Sequence, residues 1–199
     1  MSSRSTVAIL LASTALLGLT GCTGGSPSAP ETPAVTAPQA DISGEWVVTR
    51  TVLTSDDASN PTRAVGATSV RYVAIDREDC DEAVCPGTVL SGATLEGRTE
   101  TKLEQTDGGL EYSFDGTLDC MNATTGGVLS VGAFEFSQTA ALTVGESADV
   151  DGVDTASTLA GTLTYTDTLT DSGIDAGCLR DPRTVTVEYS VAAVRAPAA

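Results

Sequence analysis

The chain contains no histidine. That absence removes Ser-His-Asp and Cys-His nucleophilic machinery, together with the usual imidazole zinc sites. Basic residues are also scarce: 10 Lys and Arg stand against 27 Asp and Glu, a formal net charge of −17. This balance argues against nucleic acid as a partner, because such binding rests on basic side chains neutralising phosphates. It argues equally against a polybasic grip on anionic lipid. What it favours is solubility and resistance to association. Lys102 is the only lysine, a bias toward arginine that fits the codon usage of a GC-rich, actinobacterial genome. Clean helical stripes at i, i+3, i+4, i+7 are missing, and aromatic residues are 4% of the chain. Interior positions therefore fall mostly to Ala, Gly, Thr and Val, and small interior residues leave room for a ligand.

No apolar run reaches the roughly 20 residues that span a bilayer. The run from Val7 to Leu19 follows a short polar segment carrying Arg4 and fits the apolar region of a signal peptide. It ends in Leu19-Thr20-Gly21-Cys22. These four residues resemble the lipobox of bacterial lipoproteins. The resemblance implies a signal peptide over 1–21, diacylglyceryl transfer to the Cys22 sulfur and cleavage before it. It places the protein on the outer face of the cytoplasmic membrane, with the membrane as partner through the lipid. Each buried methylene contributes about 0.8 kcal/mol, and two or more chains hold a protein stably. Residues 22–40 are the lipidated cysteine and a tether rich in Pro, Ser, Thr, Gly and Ala. That composition buries too little to offset its ordering entropy, so disorder is expected.

Residues 41–199 read as a single all-β domain. Val and Thr alternate with polar residues, punctuated by Gly, Asp and Asn. Strands are expected over 44–53, 69–76, 88–90, 98–105, 110–118, 133–144, 158–169 and 184–194. The clearest hairpin is joined by Thr106-Asp107-Gly108-Gly109, where Asp-Gly supplies the positive φ of a tight turn. About eight antiparallel strands with mostly short loops suit an up-and-down barrel ahead of a β-sandwich. A meander removes its edges only by pairing its ends, so the first and last strands are expected to be neighbours.

Five cysteines divide into Cys22 and four others. Outside the membrane, four suit two disulfides. Local pairing of Cys80 with Cys85 is the simplest choice, leaving Cys120 with Cys178.

Gly44-Glu45-Trp46 opens the first strand. It resembles the Gly-x-Trp signature of calycins, the lipocalin and avidin-like barrels. In those folds the tryptophan plugs the closed end and an arginine near the end of the last strand packs across it. Arg195 stands in the comparable place. The resemblance implies a barrel with Trp46 and Arg195 in contact. A ligand pocket would draw on Trp46, Tyr112, Phe114, Tyr165 and Tyr189. Asp149, Asp151 and Asp154 form the one acidic stretch with alternating oxygen ligands, a weak Ca²⁺ candidate, since no glutamate closes it. No metal site or cofactor is otherwise indicated. No catalytic constellation stands out, so an enzyme is not expected. The expected function is a lipid-anchored module binding a small or apolar envelope ligand. A structural or protein-interaction lipoprotein without a pocket is the alternative, and an envelope hydrolase comes third.

Overall fold

The computed structural model describes residues 39–57, 60–78, 84–106, 109–122 and 124–197. The expected signal peptide, Cys22 and the expected tether up to residue 38 lie outside the described residues, as does Cys80. Among the described residues, ten strands and one short helix follow in order: β1 (Gly44–Ser55), β2 (Thr68–Arg77), β3 (Val84–Gly92), β4 (Thr99–Thr106), β5 (Gly109–Met121), β6 (Val128–Val144), β7 (Ser147–Val150), β8 (Val153–Ala156), β9 (Thr158–Leu169), α1 (Asp171–Asp175) and β10 (Thr184–Arg195).

Eight of the strands close into an antiparallel barrel of order β1-β10-β9-β6-β5-β4-β3-β2. The order is that of a meander whose ends meet. Strands β1 and β10 pair from Trp46↔Arg195 to Ser55↔Val187. Period-two alternation decides which side chains enter the barrel. On β1 these are Trp46, Val48, Arg50 and Val52; on β10, Val185, Val187, Tyr189, Val191 and Ala193.

One pole is shut. Trp46 is 1% exposed and donates its Nε1 hydrogen to the carbonyl of Ile42 at 2.9 Å. The Arg195 guanidinium lies 4.9 Å from the Trp46 ring centre. Its Nε donates to the Ala156 carbonyl at 2.7 Å, its Nη2 to Asp41 at 2.9 Å and its Nη1 to Ser43. Gln39 and Ala40, the last residues of the expected tether, belong to this end of the barrel. The Ala40 carbonyl accepts from Arg77 Nη1 at 3.1 Å and from Gln105 Nε2 at 2.9 Å.

Three stretches differ from the sequence expectation. The acidic segment 145–154, which lies between the expected strands 133–144 and 158–169, contributes to the separate β7-β8 hairpin. Asp151 (φ 54°) and Gly152 (φ 85°) make its tight turn, the conformation that Asp-Gly favours. Strand β3 runs well beyond 88–90, because β2 and β4 both pair with it. The long connection before β10 holds α1, whose Gly173 N–H is capped by the Thr170 hydroxyl at 3.2 Å.

One disulfide is seen in full among the described residues, Cys120–Cys178, rather than the two expected. It joins β5 to the loop after α1, over a small cluster with Ala133 and Leu169. Cys85 is buried and disulfide-bonded, with its partner outside the described residues.

Candidate functional site

The pole opposite Trp46 is open, and the barrel wall is low on one side of it. Pairing of β2 with β3 stops at Tyr72↔Gly92, and that of β4 with β5 at Leu103↔Tyr112. Strand β2 from Thr68 to Arg71 and β5 beyond Tyr112 thus border a notch above the β3-β4 hairpin. Here lies a cavity of about 340 Å³. Its walls include Arg50, Arg71, Gln138, Tyr165 and Tyr189, with Arg63 reaching over from the β1-β2 loop.

Of the five side chains expected to form a pocket, Tyr165 and Tyr189 line this cavity. Tyr112 and Phe114 pack edge to face at 5.8 Å within the core. Trp46 plugs the far end. These side chains fill the lower part of the barrel, and the cavity of about 340 Å³ lies above them at the mouth. Asp149, Asp151 and Asp154 form no group capable of holding a metal ion among the described residues. Asp149 and Asp154 are instead paired across the β7-β8 hairpin, where Asp149 Oδ1 accepts from the Gly152 N–H at 3.0 Å.

Two polar centres shape the mouth. The first is Asp167, 1% exposed on β9. It accepts from Arg63 Nη2 at 2.7 Å, from the Tyr165 hydroxyl at 3.0 Å and from Arg180 Nη1. This carboxylate holds the β1-β2 loop and the loop before β10 together. Burial alone would lower the Arg63 pKa, but the hydrogen bond and charge of Asp167 raise it. Burial, then the charge of Asp167, raises the Tyr165 phenol.

The second centre is Arg50, only 7% exposed. Nη1 donates to Gln138 Oε1 at 3.2 Å, and the guanidinium lies 5.1 Å from the Tyr189 ring centre. Its Nε has no hydrogen-bond partner among the described residues. Neither Arg50 nor the half-buried Arg71 is paired with a carboxylate there. Burial, followed by the like charge of Arg71, lowers the Arg50 pKa to about 10. The polarity of Tyr189, Tyr112 and Tyr165 offsets part of that shift. Arg50 thus stays charged at neutral pH.

A larger cleft of about 570 Å³ lies at the Trp46 pole, bordered by Val47, Tyr72, Leu95 and Pro197. Its cations are already engaged: Arg98 pairs with Glu45 at 2.7 Å, and Arg195 with backbone carbonyls. It is more apolar, but the mouth is where a charge is left without a partner.

Comparisons with protein-family models, with curated proteins and with solved structures find no match.

Arg50, Arg71 and Asp167 were not among the residues that sequence reasoning singled out for the site. The signal was present in the alternation. Arg50 is in phase with Trp46 and Val48, Arg71 with Val73 and Ile75, and Asp167 with Leu163 and Leu169. A charged residue in the inward phase of a barrel strand is either paired or at a site.

Proposed function

We propose that this protein is a lipid-anchored extracytoplasmic binding module that takes a small ligand in the mouth of its barrel. The observation that carries the reading is the mouth cavity itself, with Phe136, Tyr165 and Tyr189 beside polar side chains, above the packed core that includes Tyr112, Phe114 and Trp46. A concave, mixed apolar and polar pocket is the usual form of a small-molecule site. The contact between Trp46 and Arg195 supports the calycin-like reading of the barrel. Cys22 carries the anchor in this proposal, and Cys80 supplies the partner of Cys85.

Two experiments test it. Ser69 lines the mouth, so Ser69→Trp fills the cavity without touching the core. A neutral, polarity-sensitive dye such as Nile red should bind the wild type saturably and Ser69→Trp much less. Equal signals from both proteins would place the dye elsewhere and end the mouth reading. For the anchor, Cys22→Ser should abolish incorporation of labelled fatty acid and leave precursor unprocessed. Label entering the variant would remove the lipobox.

One observation favours the interaction-protein reading. The β5-β6 hairpin carries exposed Met121, Val128, Leu129 and Val131 near its tip. Clustered exposed apolar side chains of this kind mark contact surfaces.

A further inference from the structure

We infer that the mouth cavity takes a small organic anion, its carboxylate or phosphate oxygens facing Arg50 and Arg71 and its apolar body against Phe136, Tyr165 and Tyr189. This rests on the mouth being the binding site, as proposed above, and adds the class of ligand.

Charge is the first argument. The chain as a whole carries −17, yet three of its 10 basic residues line this cavity, and two of them, Arg50 and Arg71, are paired with no carboxylate among the described residues. The nearest buried acid, Asp167, is already committed to Arg63 and Arg180. An unpaired cation in a protein interior is costly and is normally neutralised or paired. Arg50 is neither: its pKa falls only to about 10, so the charge persists. Among the described residues Gln138 Oε1 is the one hydrogen-bond partner of a side chain with five N–H donors, and the buried Nε has none.

Position is the second argument. Arg50 and Ser69 are partners across β1 and β2, and Arg71 follows two residues on. Both arginines line the cavity on the side where the wall is low. Guanidinium groups suit planar oxyanions by geometry as well as charge. Opposite them, Phe136 and Tyr165 stack at 6.0 Å with 22° between their planes, an apolar wall for a flat body. A bare inorganic ion would leave that wall unused.

The test is calorimetric titration of the whole protein with naphthoate, its neutral counterpart naphthylmethanol, and acetate. Naphthoate should bind most tightly. Arg71→Gln and Arg50→Met should each weaken it about tenfold or more, while leaving naphthylmethanol within about twofold of the wild type. Arg71 makes no hydrogen bond or ion pair among the described residues, so its variant should fold normally. Acetate binding as tightly as naphthoate would support the anion and overturn the apolar body. Naphthylmethanol matching naphthoate, with no loss in either variant, would overturn the inference yet leave the cavity as a binding site. No binding of any of the three, together with failure of the Nile red experiment, would overturn both.

Discussion

Trp46 and Arg195 are register partners across the seam where the first strand meets the last, and the guanidinium of one lies over the indole of the other. Arg195 also supplies donors to the carbonyls of Asp41, Ser43 and Ala156. Removing it leaves those carbonyls to find other donors at a buried pole. Arg195→Ala should therefore destabilise the fold by about 2–4 kcal/mol. Arg195→Lys should recover less than half, since one ammonium cannot reproduce a planar fork. Urea denaturation measures both. A loss under roughly 0.5 kcal/mol would mean that the seam closes without this residue.

Asp167 accepts from two arginines on two different loops. Asp167→Asn removes the buried charge; Arg180 then has no carboxylate partner among the described residues, and Arg63 keeps only the longer pair with Asp57 at 3.6 Å. The expected cost is about 3–5 kcal/mol. Trypsin should then cut after Arg63 and Arg180 faster than in the wild type. An unchanged digestion pattern would show that the loops are held by other contacts.

Arg50→Met should raise stability in the absence of ligand. Exchange of an unpaired buried cation for an apolar side chain of similar length removes a desolvation penalty, so a gain of about 1–3 kcal/mol is expected. Thermal unfolding reads the sign directly. A fall in melting temperature would indicate that the bond to Gln138 and the contact with Tyr189 outweigh burial.

Alkaline pH tests the same region. Burial pushes the Tyr112 phenol up to about 12, and Tyr165 is raised as well, whereas an unfolded phenol ionises near 10. Between these values the folded chain keeps protons that the unfolded chain has lost, so stability falls as pH rises. Arg50 acts in the opposite sense: its folded pKa is about 10 against 12.5 in the unfolded chain, and stability rises through that window. Two phenols against one guanidinium leave a net loss. The urea midpoint should decline above about pH 10. Tyr112→Phe should soften the decline, and Arg50→Met should steepen it.

The bridge between Cys120 and Cys178 closes a sequence separation of 58 residues. A loop of that length corresponds to about 4 kcal/mol in the chain-entropy account. Replacing both cysteines by serine should lower stability by that order and loosen the loop that carries Arg180. A denaturation midpoint unchanged by the double replacement would count against that estimate.

Strand content was largely legible, because inward Val, Leu and aromatic residues recur at period two in β1, β5, β9 and β10. The closed seam followed from the cost of free edges, and the place of Arg195 over Trp46 from a short signature. The β7-β8 hairpin was not legible, since its residues are nearly all exposed and no apolar alternation marks it. The mouth was half legible. Tyr165 and Tyr189 announced themselves as aromatics, while Arg50 interrupts the inward apolar stripe of β1 and nothing local marks it as a site residue. What no reading of one strand reveals is that Arg63, Arg180 and Asp167 meet, because they come from three separate segments.

The chain enters the barrel at Asp41 and leaves it at Ala196, and both points lie at the plugged pole, where Ala196 donates its N–H to the Glu45 carbonyl. The mouth is at the other pole. A fusion partner or a bead attached through either end thus joins the chain at the base of the cup and not at its opening. Ligand traffic and mounting do not compete for the same face. Immobilised through its N-terminal side, the molecule keeps Arg50 and Arg71 at the pole far from the point where the chain enters the barrel.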